Sequence, residues 1–328
     1  MAIIDKPSDY FNTVLYTGDG TSGRTISGVG FQSDFLWIKS RSNATNHSLT
    51  DVIRGGNLQL RSNTSDAESQ FGSQDITFTS DGFTNAGSTS NNNGFTFVGW
   101  NWKAGTSFTN DASATGIGTI DSTGSVNTDA GFSIVSYTGA GGNQTIKHGL
   151  STTPSIIICK LRSGAGDWTM FVSVLGNTKF MRLNSTNAVG TQSTYWNDTS
   201  PTSSVFTVGS AGDVNTSGGT HIAYCFAEKQ GYSKFGSYTG NGNANDGTFV
   251  YTGFAPAFVM AKRTDSTSQW CMVDNKRPGY NIAVNTIFAN SSEVEATDLG
   301  VNLLSNGFKE DTTNNLGASG GSYIYMAF

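Results

Sequence analysis

One short motif recurs three times at matched distances from its surroundings, so the chain must be assembled from copies of one unit. Tyr16-Thr17-Gly18 returns as Tyr137-Thr138-Gly139 and as Tyr238-Thr239-Gly240. Each copy is followed by an apolar run ending in lysine: Leu36-Trp37-Ile38-Lys39, Ile156-Ile157-Ile158-Cys159-Lys160 and Phe258-Val259-Met260-Ala261-Lys262. Tyrosine to lysine spans 23, 23 and 24 positions. Lysine to an Asn-Ser/Thr step, at Asn63, Asn184 and Asn290, spans 24, 24 and 28. The longer last interval reads as a surface-loop insertion. Arg41 and Arg162 stand two residues after their lysines, and Arg263 directly after Lys262. Each copy closes on a small-residue turn and an aromatic-rich strand, as in Asn92-Asn93-Gly94-Phe95-Thr96-Phe97. These correspondences divide the chain into repeats at 8–104, 131–228 and 234–328.

Within a repeat, apolar residues alternate or run in fours and fives between Gly, Asn and Ser, the pattern of half-buried and fully buried strands. Ile222, Tyr224 and Phe226 fall on one face of a strand and Ala223, Cys225 and Ala227 on the other. Charged residues are 13% of the chain, about half the usual ~25%, so long amphipathic helices have little to be built from. Aromatics at 12% supply a core. The expected class is all-β: three tandem antiparallel β-sandwich, jelly-roll-like repeats of roughly 95 residues, a size that suits two packed sheets. The one helical turn expected is at Ser65-Asp66-Ala67-Glu68-Ser69.

The corresponding domains are 1–104, 131–228 and 229–328. Residues 105–130 are rich in Gly, Ser and Thr, with Phe108, Ile117, Ile120 and Val126 as their large apolar residues, and read as an extended linker with one short strand near Thr119-Ile120. Only Lys229-Gln230-Gly231-Tyr232-Ser233 joins the last two repeats. Those two are expected to pack rigidly, and the first to swing.

A net charge of −5 leaves no excess of Lys and Arg to neutralise phosphates, which argues against nucleic acid. No apolar run of about 18 residues and no signal-like leader is present, so neither membrane insertion nor secretion is expected. Cys159, Cys225 and Cys271 stand far apart beside apolar neighbours and read as small buried hydrophobes made in a reducing cytoplasm.

Catalytic patterns are weak. His47, His148 and His221 carry no metal-ligand spacing, and no metal or cofactor is expected. Gly317-Ala318-Ser319-Gly320-Gly321 matches a nucleophile-elbow pattern but leads into a strand instead of a helix. Gly139-Ala140-Gly141-Gly142 lacks the Lys-Ser/Thr tail of a phosphate loop. Glu293 with Glu295, and Asp265 with Asp274, are the acid pairs nearest to glycosidase spacing and read as solvated loop acids. Asp19, Asn241, Asn243, Asn245 and Asp246 offer hard oxygens for Ca²⁺ without the ligand spacing of a calcium loop. Lys39, Lys160 and Lys262 read as solvated guards at strand ends. Trp168 and Trp270, each eight residues after its lysine, are the candidates for ligand binding by stacking on sugar rings, with His47 in the same place in the first repeat. The competing reading is a core aromatic repeated because the fold repeats it.

Three segments extend the comparison: 7–18, ending in Tyr-Thr-Gly; Trp37-Ile38-Lys39-Ser40-Arg41; and Ala223-Tyr224-Cys225-Phe226-Ala227-Glu228 with 231–240. On these residues the chain resembles a family of repeat-containing virion proteins, mainly of tailed phages of marine bacteria. The resemblance implies a non-enzymatic tail or tail-fibre component located in the virion and released by lysis. It implies other virion proteins as partners, assembly into a homo-oligomer such as a trimer, and contact with a host surface glycan or protein through loops. The proteins it resembles continue a little past Tyr323-Ile324-Tyr325-Met326-Ala327-Phe328, so that strand is expected as an edge or joining surface. The rival readings are a capsid-decorating or head-fibre protein, and a carbohydrate-binding module or depolymerase.

Overall fold

A computed structural model describes residues 3–71, 76–85, 88–278, 281–297 and 300–328. The fold is all-β and every strand pairing is antiparallel. Helix among the described residues is confined to single turns such as Ala112–Thr115, Ser193–Trp196 and Gly212–Asn215. Residues 65–69 are not one of them.

The same strand order occurs in three large sheets. In the first, Phe11–Thr17 pairs with the closing strand Thr96–Trp102, which pairs with Phe35–Ser40 and then Ser48–Asp51. In the second the order is Phe132–Thr138, Thr220–Phe226, Ile156–Leu161, Thr169–Val172. In the third it is Lys234–Thr239, Ser322–Ala327, Phe258–Arg263, Cys271–Asp274. A small sheet covers one face of each: Thr25–Ser27 with Gly82–Thr84, Gln144–Lys147 with Val205–Val208, and Phe249–Tyr251 with Gly307–Glu310. The final strand is therefore the second strand of its sheet and not an edge, because both of its sides are hydrogen-bonded.

The Tyr-Thr-Gly motif has a mechanical reason. Tyr16, Tyr137 and Tyr238 donate their hydroxyls to the carbonyls of Ser90, Val214 and Leu316, in the turn before each closing strand. The following glycine lies under that turn. A Cβ on Gly18, Gly139 or Gly240 would meet a backbone oxygen at 2.1, 2.4 or 2.5 Å, which only hydrogen at that position avoids.

Each large sheet is buried on both faces. One face meets its own small sheet, giving three separate cores around Phe83, Phe206 and Phe308. The opposite faces of all three sheets meet in one shared core that contains Trp37, Trp100, Ile158, Tyr224, Met260 and Met326. Alternation along each closing strand sorts its residues between these two cores, Tyr224 inward to the shared one and Cys225 outward.

Two expectations about organisation are overturned. The first module does not swing: Phe11 stacks on Phe328 at 5.6 Å and Phe35 on Tyr224 at 4.3 Å, so its aromatic face is already buried against both neighbours. Residues 105–130 are no linker but extend the second large sheet: Ser122–Asn127 pairs with Phe132–Thr138, and Thr106–Asn110 pairs in turn with Ser122–Asn127. Its expected strand near Thr119 and Ile120 is a bend.

Candidate functional site

The three positions matched by spacing close the modules into a ring. Trp168 Nε1 donates to the Arg61 carbonyl of the first module at 2.8 Å, and Trp270 Nε1 donates to the Arg182 carbonyl of the second at 2.8 Å. His47 Nε2 completes the cycle on the Phe288 and Ser291 carbonyls of the third, each at 3.1 Å. Trp37 Nε1 donates to His47 Nδ1 at 2.8 Å, which leaves the imidazole proton on Nε2 to be donated. The Asn-Ser/Thr step positions each ring, since Asn63, Asn184 and Asn290 accept from the backbone N–H of His47, Trp168 and Trp270. Trp168 and Trp270 are 0% and 1% exposed. Neither has a free face for a sugar ring, and their work is structural.

The lysines are not solvated guards either. Lys39 donates to the Ser40 carbonyl, Lys160 to those of Leu161 and Ser65, and Lys262 to those of Thr186 and Ser268. Ser65 and Thr186 belong to the preceding module, so Lys160 and Lys262 tie adjacent modules together. Burial pushes each ammonium down to about 8.

Two of the three junctions also carry a buried ionic chain. Between the second and first modules, Tyr224 donates to Asp51, Asp51 pairs with Arg54, Arg54 with Glu68, and Glu68 bidentately with Arg162. Between the first and third, the same places are taken by Trp100, Asp274, Arg277, Glu295 and Arg41. Glu295 and Asp274 are thus buried ion-pair partners and not solvated loop acids. Asp265 is exposed and paired with Arg263. At the junction of the third and second modules every place is neutral: Met326, Val172, Leu175, Val189 and Thr264. The equivalence is visible in the backbone, where Val189 N–H donates to the Thr264 carbonyl as Glu68 does to Arg162 and Glu295 to Arg41, all at 2.9 Å.

Other sequence candidates lie apart. His148 and His221 are buried and bonded to backbone carbonyls. Gly139 to Gly142 form an irregular bend after a strand, and Ser319 is an exposed turn residue. Cys159, Cys225 and Cys271 are buried and form no disulfide. In the Asn241 to Asp246 loop, Asn241 and Asn243 accept from their own backbone and Asp246 pairs with Lys309. Among the described residues no group of three or more His, Cys, Asp or Glu is placed to hold a metal.

One open cleft, of about 210 Å³, lies in the first module and is lined by Thr45, Asn46, Gln59, Arg61, Asn92 and Phe95 among others. Arg61 is the charged group in this lining. Its ion pair is a 3.4 Å contact with Asp66, whose side chain is 59% exposed, an arrangement that contributes little. The Thr45 hydroxyl is buried without a hydrogen-bond partner. Sequence reading missed this place, although Arg61 and Arg182, each two residues before the matched asparagine, were a usable signal.

A family model described as "Domain of unknown function (DUF7483)" matches residues 6–328. No curated protein matches the chain.

Proposed function

Because the chain belongs to this DUF7483 family along nearly its whole length, we propose one role for the entire three-module body: a non-catalytic structural protein of a tailed-phage virion, in the tail or tail fibre. The supporting observation is the closed cycle of Trp168, Trp270 and His47 contacts around a common core. Three sheets that bury both faces leave the molecule stiff and its loops as the surfaces available to partners. The resemblance of 7–18 and 223–240 to phage virion proteins supplies the setting. A body with pseudo-threefold order presents three related surfaces, which suits a position on or beside the axis of a trimeric fibre. Phe249 and Tyr251, 46% and 64% exposed on the outward face of the third small sheet, add apolar area for a neighbour in the particle or a host surface.

Quantitative mass spectrometry and cryo-electron microscopy of purified particles test this reading. A fixed copy number with density at the tail is expected. Absence from the particle rejects the role, and density on the head moves the protein to the decoration class.

A further inference from the structure

The second module shows what the Arg61 cleft is missing. Asn46 and Asp167 are counterparts, because Asn63 Nδ2 donates to Asn46 Oδ1 and Asn184 Nδ2 to Asp167 Oδ1, both at 2.8 Å. Arg61 and Arg182 are counterparts through the matched tryptophan bonds to their carbonyls. Gln59 and Phe180 precede those arginines by two.

In the second module the guanidinium has three partners from the protein itself, although its side chain is as exposed as that of Arg61, 30% against 32%. Arg182 Nε lies 2.7 Å from the Asp167 carboxylate, Nη2 donates to the Tyr195 hydroxyl at 3.0 Å, and the group sits 5.3 Å from the centre of the Phe180 ring. The Asp167 approach is off the hydrogen-bonding direction, so its contribution is coulombic. Tyr195 packs on Phe180 at 4.1 Å and fills the space. A carboxylate, a hydroxyl and a ring thus complete one arginine. In the first module, Asp167 is replaced by the neutral Asn46 and Phe180 by Gln59, and a cleft stands beside Arg61.

We propose that this cleft binds a uronic acid residue of a glycan, a pyranose bearing a carboxylate. The carboxylate takes the place of Asp167 on Arg61 and forms a charge-assisted pair there, alongside the exposed Asp66 carboxylate that approaches the same guanidinium at 3.4 Å. The ring lies in the cleft with its C–H face available to Phe95, and its hydroxyls meet Thr45, Asn46 and Asn92. A volume of about 210 Å³, below the ~300 Å³ where drug-sized pockets begin, takes one ring and not a chain. An aromatic amino-acid side chain fits the lining less well, because amides and hydroxyls around the ring would lose water without gaining partners. A host-contacting role for the virion protein would use this cleft, yet binding by purified protein is measured without particles, so either reading can fail alone.

The test is titration of the full chain with D-glucuronate, D-galacturonate, D-glucose and acetate, followed by calorimetry or NMR. At least one uronate is expected to bind, with D-glucose and acetate each weaker by about tenfold or more, the size of one charged hydrogen bond. Arg61→Gln should lose about tenfold. Asn46→Asp, which keeps the acceptor for Asn63 and restores the carboxylate of the second module, should lose as much with an unchanged urea midpoint. The inference is overturned if neither uronate binds, if acetate binds as well as the sugar acid, if D-glucose binds as tightly, or if Asn46→Asp binds as the wild type does.

Discussion

Tyr224 of the second module donates its hydroxyl to the Asp51 carboxylate of the first at 2.7 Å, and both residues are buried. The corresponding pair at the next junction is Trp100 and Asp274 at 3.0 Å, and at the last it is Met326 and Val172. The four charged places are all uncharged at that last junction, and the hydrogen-bond donor at the fifth is replaced by methionine. Such concerted exchange is what desolvation requires, since a buried charge left without its partner costs far more than the intact pair contributes.

Replacing Asp51 alone by valine removes the 2.6 Å partner of Arg54, whose side chain is 0% exposed, and leaves Glu68 as its remaining carboxylate, which should lower stability by about 3–5 kcal/mol. Exchanging the whole set, Asp51→Val, Arg54→Leu, Glu68→Val, Arg162→Thr and Tyr224→Met, should leave stability within ~1 kcal/mol of wild type or raise it. Urea unfolding followed by tryptophan fluorescence measures both. A fivefold variant as damaged as the single one would refute the equivalence of the junctions.

Stability should fall towards both ends of the pH range for different reasons. Burial pushes His47 down to about 3 from 6.5 and His148 down to about 4. Between 6.5 and those values the unfolded chain binds protons that the folded chain refuses, so acid destabilises. Glu310 lies on the other side: burial raises it from 4.5 to about 9. The folded carboxyl keeps a proton that the unfolded one releases, and stability therefore falls as pH rises from 4.5 to 9. His47→Gln should flatten the acid limb and Glu310→Gln the alkaline limb in denaturation midpoints collected from pH 4 to 7.5, below the range in which Lys39, Lys160 and Lys262, held near 8, shed protons and oppose the Glu310 slope. Unchanged limbs would mean that other groups carry the dependence.

The motif glycine should be intolerant of any side chain. Gly139→Ala places a methyl 2.4 Å from the Thr216 carbonyl oxygen and is expected to cost about 3 kcal/mol or more. Gly142→Ala has open space and only a positive φ of 64° against it, a cost of about 1–2 kcal/mol. Thermal unfolding of the two variants should keep that order.

Native thiols should be silent. Burial pushes the Cys159 thiol up to about 12 and Cys225 well above its ordinary value, so almost no thiolate is present to react. A thiol reagent should label these cysteines only as fast as the chain unfolds, and immediate labelling in denaturant is the control. Rapid native labelling would contradict their placement.

Strand content and the antiparallel class were legible because alternation and turn residues are local. So was the correspondence of His47, Trp168 and Trp270, carried by spacing alone. Period-two alternation states that Ile222, Tyr224 and Phe226 share a face, but not whether that face meets its own small sheet or two foreign modules. The direction of Lys160, the pairing of Glu295 with Arg41 across 254 residues and the burial of Trp168 follow from ring closure, which brings surfaces together that no local pattern relates. Residues 105–130 make the same point from the opposite side. Few of their side chains are apolar, yet backbone pairing to Phe132–Thr138 and then to each other makes strands of them, with Phe108 lying over Gly124. Local sequence set which segments extend and which of their residues pair off by face; the meeting of three sheets decided what each face is buried against, because burial depends on neighbours distant along the chain.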